Sequence, residues 1–276
     1  MGGAAWRLRA RERYPANGAG DRWACRAEFR KQKAERKVFM EVEGARWAHE
    51  VESFEQWWQR QGEWVEAPNR RRGGESGVQR LHAEGRLVYA KRQVGHVYRS
   101  LRYPWGRPTV LRERDALCAL SALGVRVPRL VFCGSRRDNS GWHALLVSEA
   151  LEGFVDLPGW YAAGARERWG EALHAEVLRR IGITLARMHQ SRWQHGCLYD
   201  KHVFVKVDDD LSQGEAAIEV ALLDLEKSRR RLSRSRAAQH DLRQLRRHSS
   251  WSDTEWATMI YGYQTVFGST IKGLQT

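Results

Sequence analysis

Three glycines, Gly73, Gly74 and Gly77, with Ser76 among them, form a short flexible run in the first third of the chain. Lys91 follows at the end of the stretch Val-Tyr-Ala-Lys, and Glu113 comes next. His195, Cys197, Asp200 and His202 then lie close together, and Asp224 sits inside Leu-Leu-Asp-Leu-Glu. Taken singly, each has a plain explanation. A glycine run is a turn, a strand-end lysine is an edge residue, a glutamate early in a helix serves the macrodipole, and an aspartate after an apolar strand forms turns. Taken in order, they supply what phosphoryl transfer from ATP requires. That reaction needs a backbone cradle over the phosphates, a lysine on the inner phosphates and a carboxylate to fix that lysine. It also needs a loop for the acceptor hydroxyl and a carboxylate for magnesium. On this reading Gly73, Gly74, Ser76, Gly77, Lys91 and Glu113 bind the nucleotide. His195, Cys197 and Asp200 belong to the catalytic loop, and Asp224 holds Mg2+.

For these residues to meet, a small sheet must precede a helical body. Phe54, Trp57, Trp58 and Trp64 predict an amphipathic helical turn that staples onto the domain. Residues 69–77 read as a glycine-rich loop, followed by strands at 78–81 and 87–91 with Gly85 in the turn between them. Pro104, Gly106 and Pro108 read as a connector. A helix is expected from about 109 to 123, with Leu117, Leu120 and Leu123 on one face and Gly124 as its stop. Strands at 129–133 and 143–149 would complete a small mixed sheet. Leu173, Val177, Ile181, Leu185 and Met188 then recur every three or four residues, the mark of a long helix. A loop at 194–202 and strands at 203–207 and 219–225 follow. The expected class is α+β in two lobes: β-rich over 46–149, mainly helical over 150–276, behind a basic extension at 1–45.

The chain has 276 residues and a formal charge of +14, and the charge is unevenly placed. Residues 1–39 carry 11 Lys/Arg against 4 Asp/Glu, and residues 229–247 carry 8 Arg against Asp241 alone. The remainder balances, so the excess predicts local contact with anionic phosphates on a sugar, a lipid head group or a nucleic acid. Residues 1–45 show little apolar periodicity and read as a poorly packed extension, with a basic helix over 23–43 as the alternative. No apolar run approaches the 18 or so residues of a membrane span, and no apolar segment of a secretory signal is evident. Cys25, Cys118, Cys133 and Cys197 lack a paired spacing, which argues against both a disulfide framework and a zinc site and fits a reducing cytosol.

Two longer passages narrow the reading. Trp64-Val-Glu-Ala-Pro-Asn-Arg-Arg-Arg-Gly with Ser76-Gly-Val-Gln, and Gln194-His-Gly-Cys-Leu-Tyr with Leu223-Asp-Leu-Glu-Lys-Ser-Arg-Arg-Arg-Leu, resemble the lipopolysaccharide-core kinase family, specifically its InaA-type branch. Arg102-Tyr-Pro-Trp-Gly-Arg-Pro-Thr and His240-Asp-Leu-Arg-Gln-Leu share the likeness, which spans roughly residues 54–263. The resemblance implies a protein kinase-like fold, ATP and Mg2+ as cofactors, and a heptose or Kdo sugar of the lipopolysaccharide inner core as acceptor. It places the nucleotide-contacting lysine at Lys91, the helix glutamate at Glu113, the magnesium aspartate at Asp224 and a second metal contact at His202. Asp241 falls where an aspartate braces the catalytic loop. One departure stands out: where active members carry an aspartate base, this chain reads His195-Gly-Cys197. A thiol is a poor substitute for a carboxylate unless its pKa is well depressed, and Asp200 is the other candidate.

Two functions therefore stay open at this point. One is an ATP-dependent sugar kinase; the other is a pseudokinase or nucleotide-binding scaffold in a stress response, for which Cys197 speaks. A basic nucleic-acid-binding protein rests on charge alone, with no binding motif behind it. The expected partners are ATP, a lipopolysaccharide core or other sugar-phosphate acceptor, and peripherally an anionic membrane surface. The expected location is the cytoplasm, extending to the inner face of the inner membrane.

Overall fold

The computed structural model describes residues 52–71, 73–208 and 217–268, Arg71 by its backbone alone. The expected extension at 1–45 and its helical alternative lie outside the described residues. The chain runs α1 (Phe54–Gln59), β1 (Glu63–Arg71), β2 (Gly74–Ala83), β3 (Arg86–Val94), β4 (Val97–Ser100), β5 (Tyr103–Pro108), α2 (Thr109–Ser121), β6 (Leu130–Asp138) and β7 (Gly141–Glu149). It continues with β8 (Val155–Asp156), α3 (Leu157–Ala162), α4 (Ala165–Gln190), β9 (Trp193–Gln194), β10 (Val203–Asp208), β11 (Ala217–Leu222), β12 (Arg229–Arg230), α5 (Arg234–His248) and α6 (Asp253–Phe267).

The first part is one five-stranded sheet in the order β1-β2-β3-β7-β6. Every neighbouring pair is antiparallel, so the sheet is not the mixed one expected. Successive side chains of a strand point to opposite faces, and β7 divides accordingly. Leu145 and Val147 join Trp57, Leu81, Val88 and Ala90 on the α1 side, while Ala144 and Leu146 join Leu117 and Leu120 of α2 in the main core. The same alternation turns Val88 and Ala90 of β3 toward α1, and Lys91 and Gln93 toward α2.

Three expectations need correction here. Trp64 lies in β1 and not on the α1 turn, which is only Phe54–Gln59 and is opened by a Ser53–Gln56 capping box. Residues 69–71 belong to β1 and 74–77 to β2, with Gly73 in a turn between them, where its φ of 77° suits glycine. Pro104, Gly106 and Pro108 lie in β5, paired with β4, and not in an irregular connector.

Helix α2 begins after Pro108 with no capping side chain of its own. The sheet serves its first turn instead: Gln93 Oε1 accepts from the free backbone donor Val110 N (3.3 Å) and from the Thr109 hydroxyl (2.7 Å). The buried Gln93 thereby fixes α2 against β3.

The second part is built on α4, which is interrupted at Gly170 (φ 71°). Its Val177, Ile181, Leu185 and Met188 are fully buried, as the periodicity predicts. Each such side chain contributes about 1.5–3 kcal/mol by burial, so packing outweighs intrinsic propensity in holding this helix. Helix α6 lies against α4 with Trp256, Met259, Tyr263 and Phe267 in the shared core. The two helices meet where Gly182 faces Gly262; a Cβ on Gly182 would sit 2.1 Å from Met259 O. Across this body, β10 pairs antiparallel with β11, Val203 opposite Leu222. That register brings the end of the 195–202 loop beside the segment that carries Asp224.

Candidate active site

Lys91 is the centre of the first cluster. Its Nζ lies 2.9 Å from Glu113 Oε2 of α2 and 2.6 Å from Glu226 Oε2. Burial opposes its charge, but Glu113, Glu226 and Asp224 together hold the ammonium protonated well above the ordinary lysine range. Burial pushes the Glu113 carboxyl up. Glu226 is lowered by the Lys91 ammonium in spite of its own burial, so of the two it is the firmer anion. Gln93 Nε2 donates to Glu226 Oε2 at 3.3 Å, and Arg112 Nε donates to the Glu226 carbonyl at 2.5 Å. Glu226 is thus held from both sides. Sequence reasoning passed over it, although it stands two residues after Asp224 in a motif already singled out.

The second cluster stems from the β10–β11 register. Leu223 N donates to His202 O at 3.0 Å, which sets Asp224 beside His202; Asp224 Oδ2 lies 3.5 Å from His202 Nε2. Asp224 adopts a left-handed φ of 57°, an uncommon conformation for a non-glycine residue that concentrates at functional sites. The imidazole of His202 is fixed by its other nitrogen, since Nδ1 lies 2.7 Å from the Cys197 carbonyl. Cys197 Sγ, His202 and Asp224 place their ligand atoms within 4.8 Å of one another. The exposed Lys227 directs its Nζ to Cys197 Sγ at 3.5 Å.

Behind the loop stands Asp241 on α5, fully buried. It accepts from His195 N (2.6 Å), Gly196 N (3.0 Å), His189 Nε2 (3.1 Å) and His240 Nδ1 (3.0 Å). Burial alone would raise its pKa; hydrogen bonds from His189 and His240 override this and hold the carboxyl far below its ordinary value. His195 is also fully buried, its Nε2 2.9 Å from the Leu223 carbonyl. Burial lowers its pKa to about 4, so the neutral ring donates from Nε2 and ties the loop to the Asp224 segment. Its ring stacks on His202 at 5.9 Å. Gly196 cannot carry a side chain here: φ is 81°, and a Cβ would sit 2.7 Å from Lys227 O. Asp200 opens the short 3-10 turn Asp200–His202 and accepts from Lys201 N at 2.8 Å.

The glycines divide by role. Gly73 is open, with nothing within 4 Å of where its Cβ would lie. Gly74 packs on the backbone of Gly95 and His96, where a Cβ would come within 2.8 Å. Gly77 lies in β2, where a Cβ would meet Trp64 at 2.7 Å. Ser76 Oγ accepts from Gln93 Nε2 at 3.4 Å, which links the strand after the turn to the Lys91 cluster. The turn, Lys91 with its carboxylates, and the Asp224 hairpin are therefore joined through Gln93 and Glu226.

The model of the lipopolysaccharide kinase (Kdo/WaaP) family matches residues 55–263. Protein InaA of Escherichia coli (strain K12) is 41% identical over 197 residues, spanning 71% of this chain and 88% of that protein. A solved structure of WaaP in complex with acyl carrier protein is similar with a TM-score of 0.57 and 21% identity, over 77% of this chain and 80% of that one. That last likeness is one of fold. The sequence match and the protein kinase-like fold lead to one conclusion: the chain belongs to the lipopolysaccharide kinase (Kdo/WaaP) family.

Proposed function

We propose that this chain is an ATP-dependent phosphotransferase whose acceptor is a heptose or Kdo sugar of the lipopolysaccharide inner core. The observation that carries the reading is the Lys91–Glu113 ion pair set beside an aspartate in left-handed conformation. The donor chemistry fits a magnesium nucleotide at most positions. Lys91 offers a buried, permanently charged ammonium, the turn at Gly73 is open, and Asp224 offers a half-exposed carboxylate of the kind Mg2+ prefers. His202 is the poorer fit, because Mg2+ favours oxygen donors.

When bound, Mg-ATP supplies the phosphoryl group and the cation that neutralises its charge. The chain's own residues do the rest. Lys91 would hold the inner phosphates, Glu113 would keep Lys91 oriented, and Asp224 would face the metal. The loop pinned by Asp241 would present the acceptor hydroxyl, with its proton passing to Asp200 or to Cys197 Sγ. The exposed arginines near the site suit an acceptor that carries phosphate, at an anionic membrane surface.

A second reading, a nucleotide-binding scaffold, is favoured by two observations. A thiol stands where a carboxylate base is expected, and Glu226 already occupies the Lys91 ammonium. Thermal shift with Mg-ATP, followed by labelled-phosphate transfer to purified core oligosaccharide, separates the two. Lys91→Ala and Asp224→Asn should each remove most of the Mg-ATP stabilisation, and binding equal to the parent in both would overturn the site. Cys197→Asp should raise transfer, since general-base help is worth about 10²–10⁴-fold. Intact Mg-ATP binding with no transfer in the parent, in Cys197→Asp or in Asp200→Asn would leave only the scaffold.

A further inference from the structure

The spacing of the cysteines argued against a zinc site, yet folding assembles a donor set that spacing does not display. Cys197 and His202 come from the loop before β10, and Asp224 from the segment after β11. Their sulfur, nitrogen and carboxylate oxygen lie within 4.8 Å of one another. We propose that Cys197 Sγ, His202 Nε2 and Asp224 Oδ2 together bind a divalent transition metal of the zinc class, leaving a fourth position open to water or a phosphate oxygen.

Geometry and ligand chemistry carry this. Bonds of about 2.0–2.3 Å in a tetrahedral site put ligand atoms about 3.3–3.6 Å apart. The His202–Asp224 pair is already at 3.5 Å, so only the sulfur must close in, by at most about 1.3 Å from the 4.8 Å limit. Nδ1 of His202 faces a carbonyl oxygen, an acceptor only, at 2.7 Å. Nδ1 therefore donates to it, which turns Nε2 toward Asp224, the orientation in which metal-binding histidines are held. Sulfur and imidazole select zinc-class ions over magnesium. Lys227 Nζ, which faces Sγ at 3.5 Å, is carried on an exposed side chain and can withdraw into water when a metal enters. Asp224 and His202 are also the metal contacts of the kinase reading, and Cys197 is what this site adds, so a zinc-class ion and Mg-ATP should compete.

Cobalt(II) titration of the full chain tests this, because a thiolate ligand gives cobalt a charge-transfer absorption that oxygen and nitrogen ligands do not. The expected result is that band at one equivalent in the parent and in a Cys25→Ser, Cys118→Ser, Cys133→Ser triple variant. It should be lost in Cys197→Ser, with apparent affinity lowered by at least about tenfold in His202→Ala and in Asp224→Asn. Circular dichroism reports whether Cys197→Ser folds; if it does not, the triple variant and His202→Ala decide. No band in the parent, loss of the band in the triple variant, or full cobalt affinity in His202→Ala would overturn the proposal. Cobalt binding with no Mg-ATP stabilisation would remove the nucleotide reading and leave the metal site standing.

Discussion

Lys91 has two carboxylate partners where one would anchor it. Glu113 comes from α2 and fixes the side chain, while Glu226 approaches from the segment that follows Asp224, at 2.6 Å. On the proposed reading an inner phosphate would approach the same ammonium, so Glu226 and a nucleotide would compete for one cation. Two consequences follow for binding. Without metal, a triphosphate would have to displace or share with Glu226, which would weaken its binding; with metal, Glu226 would have a second cation to pair with. Glu226→Gln keeps the shape and the hydrogen bond from Gln93 while removing the charge. It should raise the affinity for metal-free ATP by roughly tenfold, equivalent to about 1.4 kcal/mol. Calorimetric titration of ATP in the presence of a chelator measures this. An affinity unchanged or lowered by Glu226→Gln would mean that Glu226 does not screen Lys91.

At the scale of elements, the sheet is tied together at one corner by Glu149 at the end of β7. Arg129 Nε, just before β6, donates to it at 2.6 Å, and Arg86 Nη1 at the start of β3 donates at 2.7 Å. The hydrogen bond from Arg129 is the main cause of a pKa lowered from 4.5 to about 2; burial opposes it and Arg86 assists. A carboxylate whose folded value is depressed stabilises the fold above its unfolded value and loses that contribution as pH falls. Because the corner is partly open to solvent, Glu149→Gln should cost only about 1 kcal/mol at neutral pH. Urea unfolding of parent and variant should show this gap above pH 4.5, closing as pH falls toward 2. A gap that stays constant through that window would assign the loss to packing and not to charge.

The elements also show what the sequence could and could not disclose. Lys91, Glu113 and Asp224 could be singled out because the proposed phosphate site would constrain their order and spacing, and α4 was legible because one of its faces is buried along its length. Strand β1 was not: its side chains from Glu63 to Arg70 are nearly all exposed, so no alternation marks it. Pro68 lies where its pairing with β2 is irregular. The β4–β5 hairpin was hidden by its prolines for the same reason. Gly182 and Gly262 each look like weak points within helices and acquire their meaning only when the helices touch. The Cys197–His202–Asp224 grouping depends on the β10–β11 register, which no local pattern fixes.

For the molecule as a whole, the question is where its excess positive charge leads. Within the described residues, Arg229, Arg230, Arg236, Arg243 and Arg247 are exposed around β12 and α5, and Leu232 among them is 94% exposed. No described helix is long and apolar enough to cross a membrane, so any membrane contact of these elements would be made from the surface. Near an anionic bilayer each arginine contributes about 1 kcal/mol. Replacing Arg230, Arg236 and Arg243 with Ser should therefore lower partition onto phosphatidylserine vesicles by roughly a hundredfold, the equivalent of about 3 kcal/mol. Added salt should weaken the parent's binding over the same range, because exposed charges are screened beyond about 8–10 Å. Leu101, at the tip of the β4–β5 hairpin, and Trp105, within β5, are further large exposed apolar side chains that suit an interface. Trp105→Ala should reduce vesicle binding while leaving its salt dependence unchanged, because what it removes is apolar burial and not charge. Vesicle sedimentation across a salt series reads both effects. Equal binding to neutral phosphatidylcholine vesicles would show that charge is not the attraction. Preference for duplex DNA at matched ionic strength would show that the phosphates these arginines meet are not those of a lipid surface.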